Sequence, residues 1–212
     1  MNTYLKSSFF VQLVLIFVGI PLLILALSSF PERSWLKETI SLLTILAFFL
    51  VVGQFFLSRS NGSAVQEVKM SRLISLHKVI GYTAVTILLI HPFLQVFPRF
   101  FEAGVSPDEA FITIITTFTS QGVVLGIIAW FLMLTLGIMS FMRNQLPMKY
   151  TTWRLVHGIL SILFVFSGAW HMIDLGRHAN LAMSVFIAVL TAGGVLLQLS
   201  AYRPKTEKVG VN

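Results

Sequence analysis

Six long apolar segments restrict what this sequence can fold into. Each is about 20 residues long, the length that an α-helix needs to cross the roughly 30 Å hydrocarbon core of a bilayer. The composition agrees, because 56% of the residues are hydrophobic and only 11% are charged, whereas soluble domains carry about 25% charged residues. The predicted helices are Phe9–Ser29, Leu36–Leu57, Ile74–Phe97, Gln121–Met142, Trp153–Ile173 and Ala179–Ala201. We therefore predict an all-α membrane protein, a single domain over residues 1–212 with six transmembrane helices in the lipid bilayer.

Two further segments lie at the start of the chain and in its longest loop. The first apolar run follows Lys6 but is longer than the core of about 7–15 residues in a secretory signal, so we predict a retained helix. The longest loop, Pro98–Ser120, contains the mixed run Ala110–Phe118, which we predict to lie in the membrane interface as a short amphipathic helix.

The lysines and arginines are divided unequally between the two sides. One side carries eleven of them: Lys6, Arg59, Lys69, Arg72, Lys78, Arg143, Lys149, Arg154, Arg203, Lys205 and Lys208. The other side carries four: Arg33, Lys37, Arg99 and Arg177. Basic loops remain in the cytoplasm, so we predict that both termini are cytoplasmic. The net charge of +7 comes from these loops rather than from one soluble surface, so we predict no nucleic-acid partner.

Four histidines lie inside the predicted spanning helices, where ionisable side chains are rare and indicate function. His77 and His91 are on the third helix, and His157 and His171 are on the fifth, each pair 14 positions apart. That spacing is close to four helical turns, so the members of a pair share one face about 21 Å apart. Because the two helices run parallel, His77 lies level with His157 near the cytoplasm. His91 lies level with His171 near the outside.

Two histidines at one level can hold one haem iron between them. The chain has no cysteines, which excludes covalent c-type haem and thiolate-ligated iron–sulfur clusters. Zinc or copper would need three or four ligands together. A simpler alternative is that the histidines hydrogen-bond across helix interfaces. The repeated spacing favours two b-type haems, one between the third and fifth helices near each face of the membrane.

Residues around the histidines fit this hypothesis. Gly81, Gly158 and Gly168 lie within one turn of a histidine and are predicted to leave room for a flat ring, although glycine also serves helix packing. Arg154 and Arg72 are candidate partners for haem propionates, with interfacial snorkelling as the alternative. Phe164 is predicted to pack between the two levels, on the face shared by Ala84, Leu88 and Ser161. The expected outer haem edge is surrounded by Gln95, Arg99, Asp174, Arg177 and His178, of which His178 is predicted to be an ordinary surface histidine.

The segments Leu76–Pro92 (LHKVIGYTAVTILLIHP) and Trp153–His171 (WRLVHGILSILFVFSGAWH) resemble the ferric reductase-like transmembrane domain, the haem core of ferric-chelate reductases and NADPH oxidases. In that family the third and fifth of six helices carry the histidines that ligate two stacked b haems. The resemblance implies that His77, His91, His157 and His171 are the axial ligands.

Relatives of that kind usually continue into a flavin- and nicotinamide-binding domain, for which this sequence has no G-x-G-x-x-G element. The chain also resembles the stand-alone haem membrane subunit of the periplasmic methionine sulfoxide reductase system. We therefore expect a separate cytoplasmic flavin reductase or a membrane quinol to be the electron donor, with flavin or quinone supplied by that partner.

The predicted function is transmembrane electron transfer to an extracytoplasmic acceptor, which is a redox protein, a ferric chelate or dioxygen. The chain would be the haem-binding component of an oxidoreductase in the bacterial cytoplasmic membrane. One alternative is a quinol-oxidising b-type cytochrome subunit. An alternative of another class is an ion transporter or a structural membrane protein whose histidines bind ions or only pack.

Overall fold

The computed structural model describes residues 8–59 and 61–202, and every regular element in them is helical. The helices are α1 (Ser8–Leu27, with a π-helical turn at Leu15–Gly19), α2 (Trp35–Phe56), α3 (Gly62–Glu67), α4 (Met70–Leu94), α5 (Val96–Ala103), α6 (Pro107–Thr116), α7 (Gln121–Phe141), α8 (Tyr150–Leu175) and α9 (Leu181–Ser200). Six segments of the described chain are long and apolar enough to span a membrane. The predicted six-helix membrane protein is therefore confirmed.

Several helices begin at a serine or asparagine that caps the first turn. The side chains of Ser34, Ser120 and Asn180 accept hydrogen bonds from backbone N–H groups in the first turns of α2, α7 and α9. A helix start leaves such N–H groups without partners, and short polar side chains satisfy them. Gly104 ends α5 with a left-handed backbone (φ 67°), a conformation that glycine adopts without steric cost.

The predicted long loop contains two helices rather than one. The third predicted helix was expected to continue to Phe97, but α4 ends at Leu94 and α5 starts anew at Val96. Pro92 lies inside α4 and cannot donate a backbone hydrogen bond, which weakens the last turn. The predicted amphipathic segment is represented by α6, which begins with Pro107. Together α5 and α6 form a short helical hairpin at one end of the bundle.

The bundle has two main apolar cores. The first lies between α1, α2, α8 and α9, and its most buried side chains include Phe49, Val165, Met183 and Ile187. The second lies between α2, α4, α7 and α8 and includes Ala84, Ala129, Met133 and Phe164. Helices α7 and α8 pack closely over their length, as do α2 and α4. The histidine helices are thus held between neighbours on both sides.

Long-range contacts define the two ends of the bundle. At one end Glu67 accepts a hydrogen bond from the backbone of Phe9, and Tyr202 bonds to the carbonyl of Arg154. We call it the basic end, because it carries Arg59, Lys69, Arg72, Lys78, Arg143, Lys149 and Arg154; the predicted members Lys6, Arg203, Lys205 and Lys208 lie outside the described residues. At the opposite end, Arg177 donates to the carbonyl of Pro31 at 2.6 Å.

Candidate functional site

His91 on α4 and His171 on α8 face each other near the opposite end of the bundle. Their ring centres are 6.4 Å apart and the ring planes meet at 77°. Both side chains are half-buried. Two residues that are 80 positions apart in the sequence are therefore brought to one level, as the equal spacing predicted.

The orientation of His171 is fixed by a backbone hydrogen bond. Its Nδ1 lies 2.8 Å from the carbonyl oxygen of Gly122 on α7. A carbonyl oxygen can only accept, so Nδ1 carries the proton and donates it, which leaves the Nε2 lone pair available. Metal-binding histidines commonly have such a bond on the nitrogen that does not bind the metal. The Nδ1 atom of His91, by contrast, is buried with no hydrogen-bond partner among the described residues.

The close approach of α7 to α8 depends on glycine. A Cβ added at Gly126 would overlap the imidazole of His171, and one added at Gly122 would overlap Asp174 and Leu175. The two glycines are four positions apart, so they lie on one face of α7 and form a G-x-x-x-G surface of the kind that lets membrane helices pack closely. This face of α7 thus provides the room that His171 occupies.

A cavity of about 850 Å³ extends from the His91–His171 pair. Its size lies in the range of cofactor and ligand pockets, about 300–1,000 Å³. The deep part is apolar and is lined by Phe48, Leu88, Ala129, Met133, Phe164 and Gly168. Phe164, which was predicted to pack between the two histidine levels, is one of these lining residues.

The outer part of the cavity is basic. Its polar lining includes Arg33, Gln95, Arg99, Arg177 and His178. Four of these were predicted to surround this site, whereas Arg33 was not singled out and Asp174 is not among the lining residues. No aspartate or glutamate among the described residues lines the cavity. The positive charges at the rim suit an anionic group such as a propionate.

The prediction that His178 is an ordinary surface histidine is wrong. Its side chain is buried, with 7% of the residue exposed. Its Nε2 lies 3.0 Å from a carboxylate oxygen of Glu38 on α2, and Phe30 meets its ring edge-on at 4.6 Å. These partners come from a distant part of the chain, and they draw the loop between α8 and α9 over the end of the bundle.

His77 and His157 occupy the corresponding positions toward the basic end. They are close enough for a charge on one ring to interact with the other. The His77 ring lies against the backbone of Gln54 and Leu57 on the α2 side. The Nδ1 atom of His157 is buried without a hydrogen-bond partner in the described part of the chain. Because His77 approaches His157 toward the basic end while His91 faces His171 at the opposite end, α4 and α8 run parallel.

The other predicted residues fall into different environments. Gly168 lines the cavity, where an added Cβ would meet Phe48 at 3.2 Å, and Gly81 faces the side chain of Gln54. Gly158 faces α9, since an added Cβ would overlap Tyr202 and come within 2.7 Å of Gln198. Contact with another helix therefore explains glycine at position 158 without a bound ring. The side chains of Arg72 and Arg154 are exposed at the basic end.

The donor set fits a haem better than a zinc or copper ion. Two imidazoles that share one iron would need ring centres about 6 Å apart, because each metal–nitrogen bond is about 2 Å long and each ring centre lies about 1 Å behind its nitrogen. The 6.4 Å between His91 and His171 meets that requirement, and a cavity adjoins the pair. No group of three or more histidine, cysteine, aspartate or glutamate side chains in the described residues is placed to hold a metal ion.

Comparison with known proteins identifies the family. The family model "Ferric reductase like transmembrane component" matches residues 43–168. This range includes His77, His91 and His157 and ends just before His171. The chain belongs to this family. It is also similar to an "Uncharacterized protein" of Archaeoglobus fulgidus, 42% identical over 160 residues that cover 76% of this chain and 87% of the relative. No solved structure matches the chain. Membership of the ferric reductase-like transmembrane family makes this a membrane redox component.

Proposed function

We propose that this member of the ferric reductase-like family is an electron-transfer subunit with two b-type haems. One haem would be held by His91 and His171 and the other by His77 and His157. The observation that carries the proposal is the 6.4 Å separation of the His91 and His171 rings beside a cavity of about 850 Å³.

Each residue at the outer site has a definite part in this proposal. His171 would present Nε2 to the iron, because the carbonyl oxygen of Gly122 holds Nδ1. Gly126 leaves room for the imidazole of His171, and Gly168 leaves room for the ring of Phe48. Arg33, Arg99 and Arg177 line the mouth and would bind propionates by charge-assisted hydrogen bonds.

Two histidine ligands at each level would determine the type of chemistry. A haem bound in this way supplies one-electron oxidation and reduction without an open position for substrate on the iron. We therefore propose an electron conduit, with the basic end in the cytoplasm, a flavin reductase or quinol as donor and an acceptor outside. A redox protein, a ferric chelate or dioxygen are the proposed acceptor classes, and the bacterial cytoplasmic membrane is the proposed location.

Absorption spectra of the purified protein test the proposal. Protein expressed with excess haem should show a Soret band and, after dithionite reduction, a split alpha band with two haems per chain. Histidine-to-alanine changes at positions 77 and 157 should each remove the same haem, and changes at 91 and 171 should each remove the other. Thr83→Ala, a change at an exposed residue on α4 between the two histidines, is the matched control and should retain both haems.

A colourless wild-type protein would refute the function. Loss of different haems from His77→Ala and His157→Ala would refute the pairing.

A further inference from the structure

A stack of aromatic rings leads from the surface of the basic end to His157. Tyr150 and Trp153 have ring centres 6.0 Å apart, and Trp153 and His157 have ring centres 4.9 Å apart. Both interplanar angles are 19°. The three residues occur at positions i, i+3 and i+7 of α8, so they follow one helix face. Tyr150 is 47% exposed, whereas Trp153 and His157 are half-buried.

Two interactions from α7 and its following loop hold the stack in place. The guanidinium carbon of Arg143 lies 5.5 Å from the centre of the Tyr150 ring and 5.4 Å from that of Trp153. Both distances are within the range of cation–π attraction. The indole N–H of Trp153 donates to the carbonyl oxygen of Met139 at 3.2 Å. The indole is thus fixed at its polar edge, with its face against the histidine.

The two histidine levels differ in how the histidine rings are held. Among the described residues, no near-parallel aromatic stack contacts His91 or His171; Trp170, the neighbour of His171, pairs instead with Phe166 at 6.5 Å. His171 is held by a backbone carbonyl, whereas the Nδ1 of His157 has no such partner in the described part of the chain. His157 is thus held by ring contact with Trp153 and not by a hydrogen bond to Nδ1.

We propose that Tyr150 and Trp153 form the path by which electrons from a reduced flavin reach the inner site, and that Trp153 positions His157. This rests on the proposed function. In the step, a flavin hydroquinone would lose one electron and release a proton to water, and the ferric haem that His77 and His157 would hold would take up that electron. The aromatic residues are chemically unchanged, because they only provide π systems that lie between the donor and the ligand. Arg143 keeps the exposed ring in register with the indole.

Reduction of the holoprotein by photoreduced flavin mononucleotide tests the path, with haem content measured in the same samples. Trp153→Leu should slow reduction by about tenfold and shift the midpoint potential of the inner haem, and Trp153→Phe should restore most of both. Tyr150→Leu should slow flavin-dependent reduction severalfold while both haems and their potentials stay unchanged, because Tyr150 does not touch His157. Phe141→Leu is the matched control: it removes an aromatic ring that is 82% exposed at the end of α7, outside the stack, and should have the wild-type rate.

The outcomes separate this proposal from the proposed function. If wild-type protein binds no haem, the function itself fails. If both haems are present and Tyr150→Leu is reduced by flavin at the wild-type rate, the path is refuted. A wild-type inner potential in Trp153→Leu would refute the positioning of His157. If Trp153→Leu loses the inner haem, positioning is supported and the path is decided by Tyr150→Leu.

Discussion

Gly126 of α7 lies so close to the imidazole of His171 on α8 that a methyl group does not fit between them. Four residues earlier on the same face, the carbonyl of Gly122 accepts the hydrogen bond from that imidazole. One strip of α7 thus provides both the space for the side chain and its orientation. Glycine is required at position 126 for a steric reason, since its backbone is ordinary α-helix.

Gly126→Ala should therefore displace the His171 ring and remove the outer haem. We expect the haem content to fall from two per chain to one, as measured by the pyridine haemochrome assay, with the inner spectrum retained. Gly137→Ala on the same helix is the control, because a Cβ there would meet Val85 at 3.6 Å, an ordinary contact. Two haems in Gly126→Ala would show that α7 can move away from His171.

Gly158→Ala distinguishes helix packing from room for a bound ring. A Cβ at this position would overlap the hydroxyl of Tyr202, so we expect lower thermal stability with both haems still bound. Adding Tyr202→Ala should relieve the overlap and recover part of the loss in melting temperature. If the single change removes the inner haem and the second change does not return it, the glycine is needed for the ring instead.

Glu102→Gln should loosen the helical hairpin at the outer cavity. The Glu102 carboxylate pairs with Lys37 and with the hydroxyl of Ser34, and these contacts attach α5 to the start of α2. Exposed ion pairs contribute little to global stability, so the melting temperature should hardly change. Faster amide hydrogen exchange over Val96–Ala103 and faster loss of the outer haem are the expected results. Glu109→Gln on α6 is the control, and equal exchange in the two variants would contradict the attachment.

Ile187→Ala should destabilise the bundle without altering haem content. Ile187 is 1% exposed in the first apolar core and does not line the cavity. Truncation of a buried isoleucine to alanine costs about 2–5 kcal/mol, which denaturant unfolding followed by tryptophan fluorescence would detect. Val189→Ala, on the same helix at 62% exposure, should change the free energy of unfolding by less than about 0.5 kcal/mol.

The spanning helices were predictable because length and hydropathy are local properties of the chain. Each of the six predicted segments corresponds to an observed helix, with ends shifted by a few residues. A difference of another kind is at Phe97, where the apolar run continues across the break between α4 and α5. Hydropathy does not report that the chain changes helix there.

The paired histidines were also predictable, because helix periodicity converts equal spacing into equal depth. The surroundings of each histidine were harder to predict, since they depend on which helices are neighbours. His178, for example, is buried by contacts with Glu38 and Phe30. These two residues are about 140 positions earlier in the sequence. Gly126 could have been noticed from the G-x-x-x-G pattern, but the pattern does not say which side chain fills the groove.

The parallel course of α4 and α8 through both histidine levels links the two sites mechanically. Levels about 21 Å apart on continuous helices cannot be adjusted separately by rigid movement. Sliding one helix along its axis shifts both pairs by the same amount, whereas tilting it about the midpoint near Phe164 widens one pair as it narrows the other. A deformation that begins at one end of the bundle therefore changes the spacing of the histidine pair at the opposite end.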